Sequence, residues 1–222
     1  VKISIPDKYV WELIFIDDGS KDGSQGLIRK ICREDVRVKA FFLSKSFGQQ
    51  MALTAGYDYA KGGIVISLDS DLEHPPELIP KMIELWEQGK EIVFARRREG
   101  KKKNLFKRIS SKIFYHIMNK YFGANLVEGC ADFRLLDRKV VESLMQYRES
   151  NRFLRGIISN IGYERAILDY DEGIRKGGDV KYALKNMIEF SIQGIISLTA
   201  VPLRVFTLLG LGISLLSILY SI

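Results

Sequence analysis

The sequence predicts an α/β protein: a mostly parallel sheet with flanking helices, followed by C-terminal interfacial and transmembrane helices. Two observations carry the prediction. Short apolar runs alternate with stretches of helical periodicity through the first hundred residues, and the last eighteen residues contain no charge. Strand–helix–strand alternation buries each strand between helices and so calls for parallel pairing.

The apolar runs are WELIFI (11–16), VKAFFL (38–43), GIVISL (63–68) and EIVFA (91–95). Between them, residues 22–34, 47–61 and 75–88 show helical spacing of apolar side chains. Pro75 and Pro76 open the third helix, where a missing N–H is harmless. Val1–Ile5 also reads as a strand, yet only Pro6 to Val10 separate it from the next one. Parallel neighbours need a crossover of roughly a dozen residues. Either the two form a hairpin or a crossover segment is missing between them, and the lack of Asn-Gly turn chemistry favours the second.

After Ala95 the composition shifts. Residues 96–108 contain eight Lys or Arg, and a helical pattern continues to about Phe122 with Leu105, Ile109, Ile113, Ile117 and Tyr121 on one face. This segment either lies on an anionic membrane or forms a solvated loop and a helix packed on the sheet. Residues 181–202 read as a juxtamembrane interfacial helix, and 203–222 as a transmembrane helix that is alone or the first of two. Residues 1–180 then form the α/β domain. Arg204, Lys181 and Lys185 put that domain on the cytoplasmic side of the inner membrane.

Hydrophobic residues make up 46% of the chain and charged residues 27%, which excludes a disordered protein. The net charge of +7 suits anionic partners. Without aromatic interleaving or an RNA-binding motif, nucleic acid is not among them. Cys32 and Cys130 stand far apart with no second ligand at metal spacing, so zinc and a disulfide framework are both set aside.

Carboxylates gather at strand ends. Asp17 and Asp18 follow the first long run, and Asp69 and Asp71 follow the third. In an open parallel sheet, ligands bind beyond the carboxyl ends of the strands. Asp69-Ser70-Asp71, with Glu73 two residues on, offers hard oxygen ligands suited to Mg²⁺ or Mn²⁺ carrying a diphosphate.

Four stretches in order, IDDGSKDGS (16–24), LDSDLEHPPE (68–77), ADFRLLDR (131–138) and RFLRG (152–156), resemble the inverting glycosyltransferases of family 2. The similarity is to the branch of dolichol-phosphate mannose synthases and bactoprenol glucosyltransferases. It implies a GT-A (Rossmann-like) fold and metal-dependent transfer of a hexose from a nucleotide-sugar, a UDP-sugar in the bacterial branch, to a polyisoprenyl phosphate. By resemblance Asp17, Asp18 and Asp69 bind the nucleotide, and Asp69, Asp71 and Glu73 hold the metal. Asp71, Asp132 and Arg134 serve the chemistry, while Arg96, Arg108, Ser111, Arg175 and Lys181 meet the acceptor phosphate. The chain departs from the family at Glu73, Ala131 and Val180, where Gln, Gly and Ser are usual, and in the segment after Pro6. Those departures sustain an alternative, a membrane scaffold or lipid-binding protein on an inactive transferase fold. A homo-oligomer is compatible with the sequence. A processive synthase is not favoured, because its Q-x-x-R-W motif is absent.

Overall fold

A computed structural model describes residues 5–6, 8–71, 73–98, 119–120, 127, 129–147, 152–171 and 201–221. Its strands are β1 (Leu13–Asp17), β2 (Val38–Phe42), β3 (Ile64–Ser67), β4 (Ile92–Arg97), β5 (Cys130–Asp137) and β6 (Arg165–Tyr170). Its helices are α1 (Ser24–Glu34), α2 (Gln49–Tyr59), α3 (Ile79–Glu87), α4 (Arg138–Gln146), α5 (Leu154–Asn160) and α6 (Val201–Ser221). The four apolar runs become β1 to β4 and the three periodic stretches become α1 to α3. The double proline opens a 3-10 turn, Pro76–Leu78, which leads into α3. The expected strand at Val1–Ile5, the basic segment from residue 99 on, the amphipathic face and the interfacial helix at 181–202 fall outside the described residues, apart from positions at their edges.

The expectation of a mostly parallel sheet is corrected to mixed sheets. β1 and β2 pair in parallel as a two-stranded sheet. The other sheet runs β3-β5-β4-β6, with β4 and β6 parallel but β5 antiparallel to both of its neighbours. The cause is where the chain re-enters. The Arg97 N–H donates to the Gly129 carbonyl at 3.1 Å, so β5 starts beside the finish of β4 and can only run back.

Alternation along β4 and β5 builds a core on each face, as the two-residue period of a strand requires. Ile92, Phe94 and Leu136 meet Val140, Val141 and Leu144 of α4, with Leu154, Ile157 and Ile158 of α5. On the opposite face Val93, Ala95, Phe133 and Leu135 meet Ile79, Met82 and Ile83 of α3, with Leu168 and Tyr170 of β6. Val93, Phe133, Leu135 and Leu136 have no exposed surface, and burying each such large side chain contributes about 1.5–3 kcal/mol.

α2 joins the two sheets. Its Gly56 faces Ile16 of β1, where an added Cβ would lie 3.5 Å from the Ile16 side chain. Its Tyr57 hydroxyl lies 3.0 Å from the hydroxyl of Ser67 on β3. α6 is 21 residues long. Its side chains are described from Thr207 to Ser221, and among the described residues no helix is long and apolar enough to cross a membrane. Leu208, Leu211, Leu215, Leu216, Ile218 and Leu219 all stand exposed along it.

Candidate functional site

Asp17 closes β1 and is buried. One carboxylate oxygen accepts the Ser20 N–H at 3.1 Å and the Gln25 amide at 2.7 Å. Burial alone would raise its proton affinity, but these donors outweigh it and hold the carboxyl below the usual range. Asp18 turns instead to the segment before α2. It accepts the Ser46 hydroxyl at 2.6 Å, the Phe47 N–H at 2.7 Å and the Gly48 N–H at 3.0 Å. The approach is close enough to require glycine next door. A Cβ on Gly19, whose φ is +75°, would lie 2.7 Å from the Lys45 carbonyl carbon.

One residue past this clasp, the Gln49 amide donates to Asp69 at 3.0 Å. The acidic ends of β1 and β3 are therefore linked through the turn 46–49. The antiparallel register places Ser67 opposite Arg134, and continuing it beyond β3 brings Asp69 opposite Asp132. Ser67 also donates to the Asp132 carbonyl at 2.5 Å. Burial first, then the negative charges of Asp132 and Asp71, raise Asp69 above the usual carboxylate range. Asp71 accepts the Glu73 N–H at 3.0 Å.

His74 supports this loop. It is buried, and its Nδ1 accepts the Asp69 N–H at 3.0 Å. That nitrogen therefore carries no proton. The Asp69 carboxylate 3.8 Å from it is a neighbour rather than an ion-pair partner.

Asp132 and Arg134 lie on the β5 face turned toward α5, and neither has exposed surface. Asp132 pairs with Arg134 and receives a fork from Arg155 of α5, with Nη2 at 2.9 Å and Nε at 3.2 Å. Burial opposes ionisation of Asp132, yet the two guanidinium groups prevail and hold its carboxyl low. Among the described residues the buried Arg134 Nε has no hydrogen-bond partner. Cys130 registers the same basic neighbourhood. Burial pushes its thiol up to about 12, although the charges of Arg96, Arg134 and Arg155 act against it.

Arg96, expected to meet a phosphate, is engaged by Asp169 of β6 through two bonds of 2.6 and 3.0 Å. Its neighbour Arg97 reaches the acidic loop, with Nη1 3.4 Å from Glu73. Arg108, Ser111, Arg175 and Lys181 lie outside the described residues. Sequence reasoning missed Gln49, His74, Arg97 and Arg155 as members of this cluster. Arg155 and His74 carried a signal, within the RFLRG and LDSDLEHPPE stretches.

Among the described residues no group of three or more His, Cys, Asp or Glu converges as a metal centre. Asp69 and Asp71 still fit a divalent cation shared with a ligand. Mg²⁺ typically takes one or two carboxylates and completes its shell from phosphates and water. A cation there would offset the negative charges of Asp132 and Asp71, which add to burial in raising Asp69.

The sequence pattern of glycosyl transferase family 2 matches residues 3–145. The chain is 38% identical to the uncharacterized glycosyltransferase YkcC of Bacillus subtilis over 95% of this chain and 65% of that one. It is 36% identical to the bactoprenol glucosyl transferase of Shigella phage SfV over 96% of this chain and 69% of that one. It thus spans about two thirds of the length of these relatives. A solved structure of a mannosyltransferase from Pyrobaculum calidifontis, in complex with GDP-Man and Mn²⁺, aligns with TM-score 0.51 at 18% identity, over 75% of this chain and 49% of that one. That likeness shows the GT-A glycosyltransferase fold.

Proposed function

Because this chain belongs to glycosyl transferase family 2, we propose that it transfers a hexose from a nucleotide-sugar, a UDP-sugar, to a polyisoprenyl phosphate such as undecaprenyl phosphate, with inversion. One observation carries the reading: the Asp69 carboxylate neighbours those of Asp71 and Asp132, and Asp132 is itself paired with Arg134 and Arg155. Carboxylates suit a metal-bound diphosphate, and guanidinium forks suit a phosphate monoanion. The polyprenyl acceptor is supported by the similarity to bactoprenol glucosyl transferases.

The chemistry asks little of the protein beyond placement and charge. A lipid phosphate is already anionic at neutral pH, so no strong general base is needed. Asp17 would hold the nucleoside, and Asp69 with Asp71 would hold Mg²⁺ or Mn²⁺, which supplies charge neutralisation to the departing diphosphate. Arg134, fixed by Asp132, would face the acceptor oxygen, together with Arg108, Ser111, Arg175 and Lys181. In-line approach from the opposite face inverts the anomeric carbon.

The reading includes a membrane anchor. Residues 1–180 form the catalytic domain, 181–202 an interfacial helix and 203–222 a transmembrane helix, with the catalytic domain on the cytoplasmic side. Support comes from the sequence, where residues 205–222 are uncharged and mostly apolar, although among the described residues no helix is long and apolar enough to cross a membrane. The described apolar side chains of α6 are exposed rather than packed.

The test is transfer of radiolabelled sugar from a panel of UDP- and GDP-sugars to undecaprenyl phosphate, with Mn²⁺ or Mg²⁺ and with Asp71→Ala beside the parent. Labelled lipid that disappears with the variant or with chelator supports the reading. Failure of every donor would turn it toward a lipid-binding scaffold on the same fold.

A further inference from the structure

We infer that His74 is a positioning residue for the Asp69–Asp71 pair, fixing the Asp69 main chain through its Nδ1. The inference rests on the reading of that pair as the seat of a metal-bound nucleotide diphosphate.

After β3, the described residues between Leu68 and Pro75 join no ladder before the 3-10 turn at Pro76. Leu68 packs on the core, Gln49 holds Asp69 and Arg97 holds Glu73, and His74 adds the one fully ring-stacked anchor among the described residues of this segment. The imidazole is 4% exposed and stacks on Phe133 with ring centroids 5.2 Å apart and planes at 22°. It meets Tyr170 edge-on at 6.5 Å. Phe133 and Tyr170 are themselves buried in β5 and β6, so the ring is held by the rigid sheet. Pro75 follows directly and disfavours the helical region at His74, where the chain bends. From that fixed ring, Nδ1 takes the Asp69 N–H at 3.0 Å, five residues back. The first carboxylate of the pair is thereby located relative to β5, where Asp132 stands opposite. A buried histidine of purely structural use would steady the fold without bearing selectively on a ligand of Asp69 and Asp71. The proposed role links the two.

Two variants of the full chain separate these roles. His74→Phe keeps a ring for stacking and removes the acceptor, whereas His74→Asn places an amide oxygen near the position of Nδ1. Calorimetric binding of UDP and of GDP in the presence of Mn²⁺ is measured for each, with amide exchange of the 68–74 segment. The Phe variant is expected to weaken Mn²⁺-dependent nucleotide binding about 10–100-fold, the range found when supports of metal ligands are removed, and to speed exchange at Asp69. The Asn variant should restore both to near the parent. Parental affinity in the Phe variant, or equal weakening in both, overturns the inference. Should the Phe variant not fold, the Asn variant decides alone: near-parental affinity upholds the inference, and a loss like that expected for Phe overturns it. A parent that binds neither nucleotide with Mn²⁺ would instead overturn the donor-site reading and this inference with it.

Discussion

Asp132 shares its two oxygens between Arg134 and Arg155 with no surface exposed. Removing its charge leaves two guanidinium groups facing each other without their common anion. Asp132→Asn should therefore cost about 3–5 kcal/mol, the usual penalty for breaking a buried pair from one side. Urea denaturation at neutral pH measures it. Acid sets the sign of a companion experiment. The folded carboxyl is held below its ordinary value, so its stabilising contribution is complete above the ordinary aspartate range near 4 and fades as pH falls through the depressed folded value. The gap between parent and variant should narrow on acidification across that interval. A gap that widens would contradict the assignment. At this scale the sequence yielded Asp17, Asp69, Asp71, Asp132 and Arg134, because acidic strand ends and ordered motifs are local patterns. Gln49 and Arg97 join the cluster only through contacts made by folding, and no spacing rule announces them; His74 stood inside the 68–77 motif without a role attached to it.

β1 to β4 and α1 to α3 were legible as elements, since an unbroken apolar run or a helical stripe marks each. β5 was not. Its sequence, CADFRLLD, carries Asp132, Arg134 and Asp137 within a strand buried on both faces, and those charges disguise the apolar alternation. The antiparallel sense of β5 was hidden too, because it depends on where residues 98–129 return the chain. Asp137 shows how abruptly that strand becomes α4. It caps the helix by accepting the Lys139 N–H at 3.0 Å and also accepts the Trp86 indole N–H at 2.7 Å. Losing a cap and a side-chain bond, each worth about 1 kcal/mol, Asp137→Ala should lower stability by about 2 kcal/mol in the same urea assay. The opposite sign is expected in α1. Gly26 is exposed and helical, and an added Cβ would meet nothing within 4 Å. Gly26→Ala should raise stability by about 0.5–1 kcal/mol.

At the scale of the whole molecule, a sheet-built body is accompanied by a helix whose described apolar residues stand exposed. Had α6 been a core helix, its leucines and isoleucines would be packed; Leu208 is 68% and Leu216 67% exposed. Under the anchor reading, a charge in mid-helix should be resisted by the bilayer. Leu211→Arg is expected to reduce insertion by about 2.5–3.5 kcal/mol, read as loss of carbonate-resistant association with vesicles. Unchanged association would speak against the anchor.

The seam where β1 meets the turn before α2 has a consequence for how this protein can vary. At position 19 the neighbouring main chain stands where any side chain would begin, so that site offers evolution a single letter. A saturation mutagenesis survey should show position 19 as an isolated intolerant column beside a permissive Lys21. The clearance between the end of β1 and the chain at residues 45–46 is thus set by the missing side chain at position 19.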